Sequence, residues 1–416
     1  MMKAMKIKYI AVAAMTMWTA VITSGCGENK DEKGVEPTEE VNVVKVDSAL
    51  KERLRAFAGC PRPQGKFAFM VYDITAGKEV YGHNVDMAQP SASCMKLLSG
   101  IAGLELLGCD YKYHAAMLMQ GQVSADGSLN GDIAFSGGLD PQLMAADLVL
   151  YAKALRDKGV KKVNGRFFVD LVVKDAVKSE RHWFPWDLTF SKYGILYKGE
   201  DRIVKALKSA VRSQGIQLAD SQIVVAKVPA GFTEVYATDR SIEDVVNRMW
   251  KNSSNTQSTA LLYAIGNRFC PDGNPVTAGV TYLKYFLRSR LGQRDSRLVI
   301  HDGCGLCVHN RLSPRALTAI LDYGYRDEKL RGMLERNLSV SGVDGTLAHE
   351  MCGPRLRGKI TAKTGTLSHP YGISSLAGLC DGADGHKLAF AIMDSEMSVL
   401  DARVLQRKLC EELVGK

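Results

Sequence analysis

The run from Met95 to Leu107, Met-Lys-Leu-Leu-Ser-Gly-Ile-Ala-Gly-Leu-Glu-Leu-Leu, limits what this 416-residue chain can fold into. Met95, Leu98, Ile101, Leu104 and Leu107 recur close to helical spacing, and a helix this apolar has to be buried. Pro90-Ser91-Ala92 introduces it. Further upstream, Phe67-Ala68-Phe69-Met70-Val71-Tyr72 and Glu79-Val80-Tyr81 flank Thr75-Ala76-Gly77 and read as the two strands of a hairpin. A strand pair therefore leads into a core helix. At its head Ser93 and Lys96, three residues apart, share one face, so that an amine can reach a hydroxyl. That is a nucleophile and base pair, although the spacing alone also describes an ordinary solvated helix face. For Lys96 to accept a proton near neutral pH its charged form must be disfavoured, which partial burial near a second cation would do.

The remaining periodicity gives an α/β chain. Ile133-Ala134-Phe135, Gly165 to Val173 and Ile223 to Ala226 are short β-like runs among Gly and Pro, with a helical stretch around Val204 to Val211; residues 121–231 read as an inserted, mostly β domain. Ile242 to Phe269 is helical except around Asn252 to Asn255, and Ser313-Pro314 is a cap and first-turn pair for another helix. Gly358 to Thr366, Ile373 to Cys380 and Lys387 to Met393 are three strands, with Asp381-Gly382-Ala383-Asp384-Gly385 as the last turn. Leu400 to Leu413 closes the chain as a helix.

Apolar residues at 46%, charged residues at 24% and a mean hydropathy of -0.09 describe an aqueous globular body and exclude disordered, collagen-like and multi-span membrane chains. The net charge of +9 is too small and dispersed to argue for nucleic acid, and suits a protein working near an anionic polymer. Lys3, Lys6 and Lys8 precede an uncharged stretch from Tyr9 to Gly27, too short and Thr-interrupted for a comfortable membrane span, so residues 1–25 read as an export signal. It runs through Ile22-Thr23-Ser24-Gly25 into Cys26, which resembles a bacterial lipobox with Cys26 lipidated; a plain secretory peptide is the alternative. Residues 26–47, polar and acidic, form a tether. Of ten cysteines, nine remain after Cys26, and an odd number leaves at least one free thiol. Cys304-Gly305-Leu306-Cys307, near His301 and His309, has metal-like spacing but lacks a second ligand pair, and no metal or cofactor is expected.

Ser253-Ser254-Asn255 falls in the interhelical break and Lys363-Thr364-Gly365-Thr366 on a strand, so that three short motifs stand in order: helix start, loop, strand. Around them lie Gly131-Asp132-Ile133, Gly137-Gly138-Leu139-Asp140-Pro141-Gln142-Leu143, Trp183-Phe184-Pro185-Trp186-Asp187, Lys251-Asn252, Asp302-Gly303-Cys304-Gly305-Leu306, Asn310-Arg311-Leu312-Ser313-Pro314 and Gly342-Val343-Asp344-Gly345-Thr346-Leu347. From about residue 48 to the end the chain resembles the class C low-molecular-mass penicillin-binding proteins, the D-alanyl-D-alanine carboxypeptidase/endopeptidases.

The resemblance implies a penicillin-binding/β-lactamase-like transpeptidase fold, with an antiparallel sheet flanked by helices plus a helical subdomain. Residues 48–120 and 232–416 would form this catalytic domain. The implied substrate is the peptidoglycan stem peptide, with β-lactams as covalent inhibitors. The implied location is the periplasmic side of a bacterial envelope, with the lipid in the inner or outer membrane. Ser93 would form the acyl-enzyme and Lys96 would take its proton. Ser253, bridged between Lys96 and Lys363, would protonate the leaving amine, and Asn255 would hold the substrate amide. Thr364 and Thr366 would bind the terminal carboxylate, the N–H groups of Ser93 and Thr366 would form the oxyanion hole, and Gly365 would leave room for a peptide lying along the strand.

Asp140 either faces the cleft and holds an ammonium group of the substrate or is a turn residue before Pro141. Trp183 and Trp186 are expected in the core of the insert, and Arg355, Arg357 and Lys359 are either a solvated face or contacts to peptidoglycan carboxylates. Relative to the family's usual Asp-Gly-Ser-Gly-Leu-Ser, Cys304 and Cys307 stand where Ser is common; with Cys94 they place thiols near the nucleophile, which suggests oxidation sensitivity. A β-lactamase and a catalytically inactive wall-binding lipoprotein of the same fold are the two other readings.

Overall fold

Phe67, Ala68, Phe69, Met70 and Val71 are apolar at every position, and a strand apolar on both faces has to be covered on both. The computed structural model, which describes residues 45–62, 64–178, 183, 193–368 and 372–415, shows how. Cys26, the export signal and most of the tether lie outside the described residues, as does Trp186.

The chain begins with α1 (Ser48–Gly59), β1 (Lys66–Asp73), β2 (Lys78–His83) and α2 (Met95–Leu107). Its middle part holds β3 (Lys112–Val123), β4 (Ser128–Ser136), α3 (Leu148–Asp157), β5 (Lys162–Val163), β6 (Phe167–Asp170), α4 (Glu200–Ser213), β7 (Ile223–Val225) and β8 (Thr233–Ser241). There follow α5 (Ile242–Lys251), α6 (Asn255–Phe269), α7 (Pro275–Tyr285), α8 (Pro314–Arg326) and α9 (Glu328–Asn337). The chain closes with β9 (Ser339–Val340), β10 (Thr361–Leu367), β11 (Ile373–Asp381), β12 (Lys387–Ser395) and α10 (Val399–Leu413).

The first and last parts build one antiparallel sheet in the order β2-β1-β12-β11-β10-β9. One face packs Phe67, Phe69, Val71, Leu376, Phe390 and Ile392 against Leu50, Leu54 and Phe57 of α1 and Leu405 and Leu409 of α10. The other face, with Ala377, Ala389, Ala391 and Met393, joins the large core that contains α2 and α8. The middle part forms a second sheet, β7-β6-β4-β3-β8, with β5 beside β4. Its strands begin at Lys112 and end at Ser241, wider on both sides than the expected 121–231, because β3 and β8 pair with each other from Lys112↔Ser241 onward.

Helix α2 is buried from Met95 to Leu104, Lys96 and Ser99 included. Trp250 of α5 lies on it: its indole N–H donates to Lys96 O at 2.8 Å, and a Cβ on Gly100 would stand 2.7 Å from the ring's Cε2. The helical stretch from Ile242 breaks at Asn252 to Ser254, where the expected irregularity lies. Ser254 caps the new helix by accepting from Gln257 N–H. Ser313 likewise caps α8, with Pro314 in its first turn.

Candidate active site

Ser93 lies in a single 3₁₀ turn, Ala92–Cys94, that runs into α2. Lys96, one turn on, is fully buried, and its Nζ stands 2.9 Å from Ser93 Oγ, 2.7 Å from Asn255 Oδ1 and 2.5 Å from Cys304 O. Burial pushes its pKa down from the ordinary lysine value. The geometry also settles what a neutral amine would do here. The Asn255 and Cys304 carbonyl oxygens can only accept, so they take the two N–H groups, and the lone pair is left for the Ser93 hydroxyl.

The loop that supplies Cys304 O is organised by one carboxylate. Asp302 accepts from the backbone N–H groups of Cys304 at 3.0 Å, Gly305 at 2.6 Å and Cys307 at 2.8 Å, from the Asn310 amide at 3.0 Å and from the Trp183 indole at 2.8 Å. The hydroxyls of Ser99 and Ser258 both donate to Gly303 O, at 2.8 and 2.6 Å. Gly305, at φ +84°, packs so closely on the Ser93 turn that a Cβ there would run into Ala92 O. Trp183 therefore does not belong to the core of the insert: it packs with Cys304, Leu306, Cys307 and Leu367 beside the cleft. The thiols of Cys94 and Cys304 are buried and their pKa values are raised by that burial, which favours the protonated thiol over the thiolate at both. Cys94 donates through sulfur to Lys363 O at 3.2 Å and joins the Ser93 turn to β10. Cys60, Cys94, Cys109, Cys270, Cys304, Cys352, Cys380 and Cys410 are free thiols. Asp73, Asp384 and His386 have metal-ligand spacing, but they lie at the β1–β2 and β11–β12 turns, where His386 Nδ1 pairs with Asp73 at 2.7 Å.

Lys363 is the second buried lysine. Its Nζ donates to Ser253 Oγ at 3.0 Å and to Thr364 O at 2.7 Å, and burial, aided by the Lys96 cation, lowers its pKa to about 7. The expected bridge through Ser253 is present on one side only: Ser253 meets Lys363, while Lys96 turns to Ser93, Asn255 and Cys304.

Strand β10 divides its side chains between two faces. Gly365 pairs with Ser375, whose hydroxyl donates to Ser91 O at 2.7 Å, on the side of the Ser93 turn. Thr364 pairs with Leu376 and Thr366 with Ser374, whose neighbours are the core under α10 and, for Ser374, Gln406 Nε2 at 3.0 Å. The reason for Gly365 is thus corrected. A Cβ there would meet Ser375 Oγ, Ser91 O at 2.6 Å and Cys94 N at 3.1 Å, so the glycine lets the Ser93 turn approach the strand. Strand β9 covers only Thr361 and Ala362, which leaves the edge from Lys363 onward without a strand partner among the described residues. A cleft of ≈ 830 Å³ opens there, lined by Ser93, Ser253, Thr346, Thr364 and Thr366 and extending to α10.

Thr346 has a place here that spacing did not reveal. Thr364 Oγ1 donates to Thr346 Oγ1 at 2.8 Å; Thr346 meets Ser339 Oγ at 3.3 Å, and Ser339 donates to Lys251 O at 3.3 Å. Lys251 in turn pairs with Asp344, so one turn links the Ser253 loop to β10.

Asp140 is not brought to the cleft. At 1% exposure its carboxylate accepts from Arg240 Nε at 2.7 Å and from Gln142 N–H at 2.8 Å, the turn role rather than a substrate contact. Arg355 donates to Gly415 O at 2.9 Å and Glu411 O at 2.8 Å, and Arg357 to Gly342 O, so both fasten backbone segments.

The sequence profile described as the D-Ala-D-Ala carboxypeptidase 3 (S13) family matches residues 50–194 and 196–412. D-alanyl-D-alanine carboxypeptidase DacB of Haemophilus influenzae is 20% identical over 413 residues, covering 79% of this chain and 85% of its own. The D-alanyl-D-alanine carboxypeptidase of Actinomadura sp. is 23% identical, covering 83% and 81%. Penicillin binding protein 4 of H. influenzae shares the fold, with a TM-score of 0.70 at 20% identity over 89% of this chain and 98% of its own, and it has also been solved with a β-lactam.

Gly365→Ala tests the contact between the Ser93 turn and the strand. The added methyl displaces the turn that carries Ser93, and covalent labelling by a fluorescent penicillin is expected to slow about a hundredfold while the melting curve keeps a single transition. Labelling at the wild-type rate would show that the close approach at Gly365 does not position the serine.

Proposed function

The chain belongs to the D-Ala-D-Ala carboxypeptidase 3 (S13) family, and on that premise we propose that Ser93 is the nucleophile of its acyl-enzyme chemistry. The protein is a serine-type D-alanyl-D-alanine carboxypeptidase of the penicillin-binding class. The observation that carries the assignment of roles is the buried Lys96 amine, held by two carbonyl oxygens so that its lone pair meets Ser93.

Ser93 Oγ attacks the carbonyl carbon of the penultimate D-Ala as its proton passes to Lys96. The N–H groups of Ser93 and Thr366 receive the developing oxyanion. Collapse breaks the peptide bond: Ser253 gives its proton to the departing nitrogen and takes one from Lys363, 3.0 Å away. Water then releases the shortened peptide from Ser93, and penicillins acylate the same serine because their amide presents the same bond. The chemistry thus needs Lys96 neutral and Lys363 charged, a pair holding one proton between its members. Burying two lysines is costly, and a protein that only bound the wall would have no use for the expense, which speaks for an active enzyme.

The reaction belongs to the bacterial envelope. We propose in addition that lipid on Cys26 holds the protein there, on the strength of the basic residues, the apolar stretch and the small residues that lead into that cysteine.

Three measurements test these readings. A fluorescent penicillin is expected to give a stable adduct, located by mass spectrometry on the Ser93 peptide and absent from Ser93→Ala; an adduct elsewhere, or none in the folded wild type, removes Ser93 from its role. Acylation should fall as the pH rises through about 7, where Lys363 loses the proton that Ser253 hands to the departing nitrogen. A rate independent of pH between about 5 and 8 would sink the assignment of Lys363 as the proton source. Full-length protein expressed in a bacterium should carry a diacylglycerol mass on an N-terminal Cys26, and Cys26→Ser should lose it; an unmodified mature terminus in the wild type would exclude the anchor.

A further inference from the structure

The cleft does not stop at the threonines. Past Thr364 and Thr366 it is bounded by the outward side of α10, where Arg403, Val404, Arg407 and Lys408 line it. The pairing of β10 with β11 shows that this is one continuous face: Thr366 stands opposite Ser374, and Ser374 accepts from Gln406, the residue before Arg407. Ser93 reaches the strand edge from the opposite face, through the turn that Gly365 admits. A substrate passing along this edge therefore has its scissile carbonyl at one face and whatever follows the leaving nitrogen at the other.

The cations on that second face differ in how far they are already engaged. Arg403 pairs with Glu350 at 3.0 Å, and Arg355 is spent on the carbonyls of Gly415 and Glu411. Arg407 and Lys408 are exposed and make no ion pair or side-chain hydrogen bond among the described residues. Glu350 and Glu411 are the acidic residues lining the same cleft, so four cations face two carboxylates there and the field is positive. One terminal carboxylate is provided for by Thr364 and Thr366, and the additional, uncompensated charge lies beyond it.

We propose that Arg407 and Lys408 form a subsite for a second carboxylate on the leaving-group side of the scissile bond. The ligand class is a leaving group larger and more acidic than D-alanine: an acidic D-amino acid, or the carboxylate-bearing end of a peptide. The inference deepens the acyl-enzyme reading and rests on it, since the threonines mark the leaving-group side only if Ser93 is the nucleophile.

The probes are short N-acylated peptides ending in D-Ala-D-Xaa, with Xaa as Ala, Glu or Lys, compared by kcat/KM at low salt. In the wild type the D-Glu leaving group is expected to be favoured over D-Lys by about threefold to tenfold, a preference that shrinks as salt is added. In Arg407→Glu with Lys408→Glu the order should reverse. Both positions are exposed, and a melting curve confirms that the variant is folded. A wild-type ratio near one, or a ratio that the double variant leaves unchanged, overturns the subsite. Absence of both peptide turnover and a penicillin adduct in the wild type would overturn the acyl-enzyme reading and this inference with it. A penicillin adduct on Ser93 together with an unchanged leaving-group ratio would overturn the subsite alone.

Discussion

Everything near the site depends on an amine kept out of water. A wholly buried lysine loses the hydration of its charged form, and the neutral form is the cheaper one to bury. Lys96 lies in that condition, and three separate parts of the chain converge on its nitrogen: the turn before α2, the start of α6 and the loop at Cys304. The convergence has to be rigid, because the direction of the lone pair follows from where the two accepting carbonyls stand. Asp302 fixes one of them with five donors, and the cap at Ser254 fixes the helix that carries the other. Trp250 holds the backbone of Lys96 itself, and the absence of a side chain at Gly100 gives its ring room to do so.

The second constraint is the alternation of β10. A strand sends successive side chains to opposite faces, so a one-residue slip would exchange Lys363 and Gly365 for Thr364 and Thr366. Pairing with β11 from Thr361↔Leu379 to Leu367↔Ile373 fixes the register, and the Cys94 thiol on Lys363 O fixes the strand against the nucleophile's turn. The edge that remains unpaired joins the two faces, which is what an extended substrate needs when its reacting carbonyl and its carboxylate are to be held by different groups.

Much of this was legible in the sequence, and for a physical reason. The hairpin before α2, the burial of α2, the break between α5 and α6 and the three closing strands all follow from local periodicity and turn chemistry, and the three motifs fall on them. What stayed hidden depends on contacts between distant segments. The donors that make Asp302 important are mostly backbone N–H groups, which every residue carries, and its fifth partner, Trp183, is far away in sequence. Nothing in Gly-Val-Asp-Gly-Thr-Leu marks Thr346, because only the fold brings its hydroxyl onto Thr364. Asp140 was open to two readings since nothing in Gly-Leu-Asp-Pro announces Arg240. At Gly365 the sequence shows that a strand needs room, and only packing shows on which side. Strands β3 and β8 are hard to read from sequence for different reasons: β8 is polar and at most half-buried along its length, and β3 runs through Ala115, Ala116, Met117, Leu118 and Met119, residues without a strand preference.

Backbone strain completes the argument for preorganisation. Ala92 has φ +43° and Ser253 has φ +55°, left-handed conformations that cost side-chain-bearing residues about 1–3 kcal/mol each. One immediately precedes Ser93, and the other is the residue that meets Lys363. Such conformations persist only where their surroundings over-determine them, and the surroundings here can be named. Ala92 is held between Gly305, the Ser91 carbonyl bound by Ser375, and the start of α2. Ser253 is held between Lys251, paired with Asp344, and the Ser254 cap. Both strained residues lie on turns whose neighbours already belong to the lysine network, so the interactions that keep Lys96 dry also hold the two serines in place. A relaxed backbone at either position would be locally cheaper, but it would move a hydroxyl away from its lysine, and the fold spends part of its stability to prevent that.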